Sequence, residues 1–195
     1  MKLRKIKFGD AFFLVLLALL LIPQTRTPIQ VALNQLKVAV WSPNAEPEEG
    51  KENVEPFTYR VLDLEGNSVS FGVGQGTITF VSYWATWCPP CIAELPSIQK
   101  LHADYGQAVQ FLLLTQEEVG MVRQFLDRKG WEFPVYFPQM APPEALQENS
   151  IPTNFLIDGH GNIVIKETGA ANWNSGEVRN LLDGMLQRNT GAETP

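Results

Sequence analysis

The sequence has 195 residues, 45% of them hydrophobic, which suits one globular domain with appendages and excludes a wholly disordered chain. The net charge of −6 argues against nucleic acid as a partner, because phosphate binding needs a basic face. Two cysteines exclude the multi-bridge framework of a small secreted scaffold, and two histidines leave little material for a zinc site.

The amino-terminal residues have the pattern of a targeting segment. Residues 1–26 carry five positive charges and one negative charge, whereas the remaining 169 residues carry 10 positive and 20 negative charges. An uninterrupted apolar run of 12 residues, 11–22, follows the basic tip and as a helix would span about 18 Å. This is shorter than the roughly 30 Å core of a bilayer and is typical of a signal-peptide h-region.

The residues after that run favour a different outcome, because the sequence that begins at Pro23 has no good small-x-small cleavage site. We therefore expect residues 1–27 to be an uncleaved signal-anchor, with a cleaved signal peptide as the main alternative and a buried core helix as the third. Either main alternative places the body of the protein outside the cytoplasmic membrane, since the basic side stays in the cytoplasm. Cysteine chemistry in that compartment involves disulfides.

Residues 28–56 are predicted to connect this segment to the main domain. Four apolar residues recur at helical spacing, namely Ile29, Leu33, Leu36 and Val40. They indicate either an amphipathic helix on the membrane surface or a short element packed on the domain. Residues 42–56 contain three prolines and five glutamates and are predicted to form an extended acidic linker.

The main domain is expected over residues 57–190, followed by a short tail, 191–195. Apolar and β-branched runs predict strands at 57–64, 77–84, 109–115, 133–137, 153–158 and 162–168. Helical patterns occupy 89–105, 119–129, 142–147 and 176–188. Alternation of strands and helices predicts an α/β fold with a mixed central sheet and helices on both faces.

The chemistry centres on Trp84-Ala-Thr-Trp-Cys88-Pro-Pro-Cys91, where a buried strand passes into a helix. A cysteine at a helix amino terminus faces unpaired backbone N–H groups and the positive end of the helix dipole, which lower its pKa. The thiolate is the nucleophile of disulfide exchange. Cys91 follows by three residues on the same helical face, so Cys88 would attack and Cys91 would resolve. Pro89 and Pro90 stiffen the turn and suit a helix start.

Three other interpretations of the two cysteines are weaker. A structural disulfide would close a very small loop and add only roughly 2 kcal/mol. A zinc site would need further cysteines or histidines at ligand spacing, and the sequence offers none. Two reduced core cysteines would not explain the prolines between them. A redox pair that needs no metal or organic cofactor is therefore expected.

The stretch from Phe80 to Pro96 resembles the active site of the thioredoxin superfamily. It is most similar to the membrane-anchored, TlpA/ResA-like thiol–disulfide oxidoreductases of the bacterial envelope. The similarity extends over roughly residues 57–188 and includes Trp-Cys-Pro-Pro-Cys, the following Glu94-x-Pro96, and Ile151-Pro152-Thr-Asn-Phe-Leu-Ile-Asp158. It implies a thioredoxin fold.

The resemblance also implies residue roles. Cys88 matches the exposed attacking cysteine, and Cys91 matches the buried resolving one. Pro152 matches the cis-proline that faces the disulfide, and Ile151 before it would offer backbone to the substrate chain. Glu94 matches a buried acid of the ResA-like members that could exchange a proton with the Cys91 sulfur. A solvated helix carboxylate is the alternative for Glu94.

Residues that flank the cysteines are further candidates. Trp87, Pro89 and Pro90 are expected on the substrate surface, and Trp84 could belong either to that surface or to the core. The sequence departs from the cytosolic thioredoxins at Ser82, where they have a buried aspartate. A hydroxyl cannot act as a carboxylate base at neutral pH, so the acid–base role would pass to Glu94 or to water.

The expected function is exchange of disulfides in envelope proteins, in the reducing direction, with electrons from a membrane thiol-transfer partner. A disulfide oxidase or isomerase of the same fold is one alternative. A thioredoxin-like binding or chaperone module without turnover is another. His102 is expected at the surface of a helix and His160 in a loop, so neither histidine enters these hypotheses.

Overall fold

The computed structural model describes residues 23–45 and 52–191 of the chain. Its helices are α1 (Pro23–Val40), α2 (Pro89–Tyr105), α3 (Val119–Lys129) and α4 (Gly176–Gly191). Its strands are β1 (Phe57–Leu62), β2 (Ser68–Val73), β3 (Ile78–Tyr83), β4 (Val109–Leu114), β5 (Val135–Pro138), β6 (Thr153–Ile157) and β7 (Ile163–Thr168). A single 3₁₀ turn covers Glu144–Leu146.

The strands form one mixed sheet in the order β2-β1-β5-β4-β3-β6-β7. β3, β4 and β5 run parallel, whereas β1 joins β5, and β6 joins β3, in the antiparallel direction. The mixed sheet and helices confirm the predicted thioredoxin fold. β3 lies near the centre, and its carboxyl end leads into the cysteine motif.

The helices lie differently from the prediction. Side chains of α2, α3 and α4 share one core cluster with the sheet residues Phe80, Leu113 and Leu156. The cluster on the opposite face contains Val81, Leu112 and Phe155. The helical residues described in this cluster are Leu146 and Ala145, both from the 3₁₀ turn. Of the described residues, the prediction of helices on both faces therefore holds only through the 3₁₀ turn, because α2, α3 and α4 all lie on one face. The two parallel crossovers, β3-α2-β4 and β4-α3-β5, proceed in the same direction across the sheet, and right-handed connections then place both helices on one face.

One strand was missing from the prediction. β2 pairs with β1 in antiparallel register, from Phe57 opposite Val73 to Leu62 opposite Ser68. The turn between them is held by Asp63, whose carboxylate accepts hydrogen bonds from the Asn67 backbone and side chain. Alternation of Ser68, Val69, Ser70 and Phe71 was the available signal, because a half-buried strand has a period of two.

Helix α1 packs on α2 through one face only. Val31 contacts the main cluster, and Val38 packs against Ala93 and Ala170. The domain-packed alternative for residues 28–43 thus holds for Val31 and Val38. The predicted apolar residues Ile29, Leu33, Leu36 and Val40 lie on the exposed side.

The structure describes only some of the residues to which the amino-terminal predictions apply. The basic tip, the apolar run 11–22, the centre of the acidic linker and residues 192–195 lie outside the described residues. Among residues 23–45 and 52–191, no helix is both long and apolar enough to cross a membrane. Helix α1 begins at Pro23 and passes through the boundary predicted at residues 27–28.

The end of the predicted linker already belongs to the domain. Val54 is buried, its backbone N–H donates to the Gly161 carbonyl at 2.8 Å, and Ile163 donates to the Glu52 carbonyl at 2.9 Å. A side chain at Gly161 would place its Cβ 2.2 Å from the Val54 oxygen, so this approach requires glycine. The extended-linker prediction is therefore wrong from residue 52 onward.

Candidate active site

The cysteine pair sits at the start of α2, as the motif predicts. Cys88 is the N-cap residue, and its sulfur accepts the Cys91 backbone N–H at 3.3 Å. Pro89 and Pro90 occupy the first helical positions, where the missing N–H costs nothing. Cys88 and Cys91 form a disulfide, with 5.3 Å between their Cα atoms. The next turn of α2 carries Glu94.

A cis peptide bond joins Ile151 to Pro152, opposite the disulfide. The Cys88 sulfur lies 3.8 Å from the Ile151 carbonyl oxygen, so the two predicted halves of the site meet. Cys88 is only 3% exposed and Cys91 is fully buried. The expectation of an exposed Cys88 is therefore wrong for the disulfide form, although Cys88 remains the more accessible of the two.

Glu94 is buried, with 1% of its surface exposed, so the solvated alternative is wrong. Its Oε1 accepts a hydrogen bond from Asn154 Nδ2 at 2.9 Å, and its Oε2 accepts the Ala171 backbone N–H at 3.1 Å. Burial raises the pKa of Glu94 from 4.5 to about 8, against the opposing effect of these hydrogen bonds. The carboxyl can therefore hold or release a proton near neutral pH.

Asn154 is a site residue that the sequence analysis missed. It lies fully buried on β6, directly opposite Ser82 of β3 in the antiparallel register. Among the described residues neither Ser82 Oγ nor Asn154 Oδ1 has a hydrogen-bond partner. Asn154 thus connects Glu94 to the strand position at which cytosolic thioredoxins, by the resemblance above, carry a buried aspartate. A polar residue inside an apolar strand was the only signal for it.

The two tryptophans of the motif have different environments. Trp84 is buried and packs against Phe125 and Phe133, with ring centroids 6.0 and 6.4 Å apart, so it belongs to the core. Trp87 is 68% exposed beside the disulfide. An open cleft of about 460 Å³ extends from Trp87 to Ile151 between the ends of β3 and β4. An extended peptide chain could enter there.

Glu117 holds the loop in front of Cys88 and was also missed. Its carboxylate accepts the Thr86 backbone N–H at 2.6 Å and the Thr86 hydroxyl at 2.7 Å. Glu117 follows the end of β4, next to the end of β3. The carboxyl ends of neighbouring parallel strands meet at one sheet edge, and this placement was the available signal.

None of the remaining predicted residues lines the cleft. Pro89, Pro90 and Pro152 support the backbone around the disulfide, and the substrate-surface role given to the first two stays a prediction. His102 is half-buried against Phe111 rather than at the surface, and burial lowers its pKa. His160 is exposed in the β6–β7 turn. Within the described part of the chain, no group of three potential metal ligands occurs.

The class that the fold and the site define is the thioredoxin-like thiol–disulfide oxidoreductases, and comparison with known proteins agrees. A family model described as Redoxin matches residues 48–184. The chain belongs to the Redoxin family.

Named relatives give the same class, and a solved structure gives the same fold. The thiol-disulfide oxidoreductase ResA of Halalkalibacterium halodurans is 36% identical over 110 residues, which cover 55% of this chain and 62% of that protein. ResA of Bacillus thuringiensis is 28% identical over 149 residues, covering 75% of this chain and 83% of that protein. The crystal structure of StoA from Bacillus subtilis, 23% identical, covers 68% of this chain and 98% of its own with a TM-score of 0.52, which supports the fold.

Proposed function

We propose that the protein reduces disulfide bonds of other proteins through the Cys88–Cys91 dithiol. The observation that supports this most directly is the disulfide at the amino terminus of α2, whose Cys88 sulfur lies 3.8 Å from the carbonyl before the cis-proline. An incoming chain that pairs with the Ile151 backbone would bring its own disulfide next to Cys88. The ResA relatives are named as thiol-disulfide oxidoreductases, which agrees with this chemistry.

The proposed cycle begins with the reduced protein. The Cys88 thiolate attacks one sulfur of the substrate disulfide, forms a mixed disulfide and expels the other substrate sulfur as a thiolate. Cys91 then loses its proton and attacks the Cys88 sulfur, which forms the Cys88–Cys91 disulfide and releases the second substrate thiolate. The substrate gains two electrons and the protein loses two. No metal or organic cofactor takes part.

Glu94, in its carboxylate form, is proposed to accept the proton that Cys91 must lose; with a pKa of about 8 the fraction in this form grows as the pH rises through neutrality. Glu94 lies one helical turn after Cys91, and its pKa of about 8 is close to that of an ordinary thiol. A proton acceptor and donor of similar pKa values exchange a proton at little cost. Asn154 and the Ala171 backbone N–H would hold the carboxylate once the proton has left.

The substrates are proposed to be extracytoplasmic proteins, with apocytochrome c as one possibility. A membrane thiol-transfer protein would return electrons to the Cys88–Cys91 disulfide. This localisation rests on the basic tip and the apolar run 11–22, together with the resemblance to membrane-anchored thiol–disulfide oxidoreductases described above. The acidic body of the chain supports partners other than nucleic acid.

The test uses two variants of the full chain. Cys91→Ser should accumulate mixed disulfides with substrate proteins, visible as bands that a reductant removes, because Cys88 can attack but nothing releases the product. Cys88→Ser, the matched control, should trap none. Trapping by both variants or by neither would contradict the proposed roles.

The direction of exchange is tested by the reduction potential of the Cys88–Cys91 pair. A value near −270 mV is expected for a reductase, whereas a value near −120 mV would indicate a donor of disulfides. If the Cys88–Cys91 disulfide forms at no redox potential tested, the protein is not a redox enzyme, and the result favours the alternative of a binding module without turnover.

A further inference from the structure

Helix α1 has two apolar faces, and only one of them is used within the domain. Val31 and Val38 pack on the domain. Ile29, Leu33, Leu36 and Val40 are 38%, 61%, 68% and 85% exposed, and we call them the outer stripe. At 100° per residue the outer stripe covers an arc of about 60°, centred roughly 180° from Val31 and Val38. The outer stripe therefore points directly away from the domain.

We propose that the outer stripe lies in the interface of a lipid bilayer and fixes the domain against the membrane surface. This inference rests on the envelope localisation proposed above. It adds a second attachment besides the amino-terminal segment. The helix would be buried on one side by the domain and on the other by headgroups and the first acyl carbons.

The neighbouring sequence favours lipid as the occupant. The apolar run 11–22 ends at the residue before Pro23, where α1 begins. A chain that leaves the bilayer at residue 22 would reach α1 at once and could continue along the surface as that helix.

The charges of α1 agree with an anionic lipid surface. The helix Pro23–Val40 contains Arg26 and Lys37 but no acidic residue, although the chain as a whole has a net charge of −6. Both basic residues flank the outer stripe on the same side, about 50° to 70° from its centre. Their long side chains can reach phosphate groups while the stripe enters the apolar layer. In this structure the Lys37 ammonium lies 5.8 Å from the centre of the Trp41 ring. Trp41, 46% exposed just after the helix, is a residue type that concentrates at membrane interfaces, and its indole N–H donates to the Glu167 carboxylate at 3.0 Å.

A second copy of the chain fits this stripe less well. The spacing of four, three and four residues resembles a coiled-coil seam but extends over only 12 residues, and a stable coiled coil needs three to four heptads. Two copies of α1 would also place Arg26 and Lys37 of each near those of the other.

Attachment through α1 would place the active site close to the membrane. The first half of α1 borders a groove that contains Thr86 of the cysteine loop and Ile92 of α2. Thr86 is two residues before Cys88. A thiol donor embedded in the same membrane would then meet Cys88 readily, because the domain would be held at the membrane surface instead of moving on a long flexible linker.

The experiment uses the full chain reconstituted into vesicles of phosphatidylcholine and phosphatidylglycerol, with and without bromine on acyl carbons 6 and 7. The fluorescence of Trp41 is obtained as the difference between the wild type and Trp41→Phe. Brominated lipid is expected to quench this difference by at least half. The difference between the wild type and Trp131→Phe, a tryptophan away from the stripe, should change by less than one tenth.

A double variant tests the stripe itself. Leu33→Gln with Leu36→Gln should abolish the quenching of Trp41, while the chain still sediments with vesicles and reduces a soluble disulfide at an unchanged rate. Met121→Gln, which replaces an exposed apolar residue on α3, is the matched control and should leave the quenching intact.

Three results would overturn the inference. If the chain sediments with vesicles but neither Trp41 nor a tryptophan placed on the stripe by Leu36→Trp is quenched, the stripe does not touch lipid, and only the proposed localisation is supported. If the stripe instead cross-links two copies, and the double variant removes the cross-link, the occupant is a second copy. A chain that does not sediment at all would overturn the localisation and this inference together, while mixed-disulfide trapping would still test the redox function.

Discussion

Replacing Glu94 with glutamine is expected to remove most of the pH dependence of stability that the active site introduces. In the unfolded chain the carboxyl releases its proton near pH 4.5, whereas in the folded protein it does so near pH 8. Between these values the folded state binds one proton more than the unfolded state. Stability therefore falls as the pH rises through this range and levels off above the folded pKa.

The size of the effect follows from the difference between the two pKa values. One pKa unit corresponds to about 1.4 kcal/mol, so the rise from 4.5 to about 8 corresponds to a loss of roughly 5 kcal/mol over the whole titration, about 4 kcal/mol of it between pH 5 and pH 9. This is a large part of the roughly 5–15 kcal/mol that stabilises an ordinary domain. The disulfide form is the right state to measure, because its cysteines do not titrate.

The Glu94→Gln variant is a close structural match to the protonated acid. Its amide oxygen can accept one of the two existing hydrogen bonds. Its NH₂ group would face Asn154 Nδ2, but an amide flip presents Asn154 Oδ1, which has no partner among the described residues. Wild type and variant should therefore be about equally stable at pH 5.

Urea denaturation at pH 5, 7 and 9, followed by circular dichroism, provides the measurement. At pH 9 the free energy of unfolding of the variant should exceed that of the wild type by about 4 kcal/mol. The pH dependence that remains in the variant measures the contribution of all other titrating groups. Parallel pH curves for the two proteins would refute the reasoning, because Glu94 would then titrate alike in the folded and unfolded chains.

Three further substitutions test the surroundings of the site. Asn154→Leu removes a hydrogen bond to the Glu94 carboxylate, so the pKa of Glu94 should rise further above its wild-type value; a carboxyl ¹³C titration by NMR would show this, and an unmoved midpoint would contradict it. Glu117→Ala leaves the Thr86 N–H and hydroxyl without their acceptor and should cost about 1–3 kcal/mol in urea denaturation, with at least tenfold faster amide exchange at Thr86. Trp84→Ala should cost roughly 3–5 kcal/mol by the same denaturation assay, because it empties a buried aromatic site; a loss below 1 kcal/mol would mean that Trp84 is not part of the core.

The elements around the cysteine motif could be predicted well from sequence because local signals mark their ends. Pro89 and Pro90 begin α2, and Gly130, with a left-handed φ of 62°, ends α3. β4 is apolar except for the half-buried Gln110, as expected of an inner parallel strand. The pairing of the cysteines with a distant proline depended on the resemblance, since Pro152 lies 61 positions after Cys91.

The contacts that set the chemistry could not be predicted, because they join residues that are far apart in the chain. Asn154 reaches Glu94 across 60 positions, and Glu117 reaches Thr86 across 31. Their partners depend on which strands are neighbours and on which sheet face carries the helices. The placement of α2, α3 and α4 on one face could not be predicted for the same reason, since alternation of elements does not fix the direction in which a crossover proceeds.

Contacts on both sides of the acidic linker attach its ends to the domain. Before the linker, the Trp41 carbonyl accepts a hydrogen bond from the Asn172 N–H. Near its end, the Val54 N–H donates to the Gly161 carbonyl. A segment fastened to the same body at both ends is a closed loop, and its length does not set how far the domain can travel from α1. Insertions or a protease cut between residues 46 and 51 would therefore leave α1 and the domain together through the packing of Val31 and Val38.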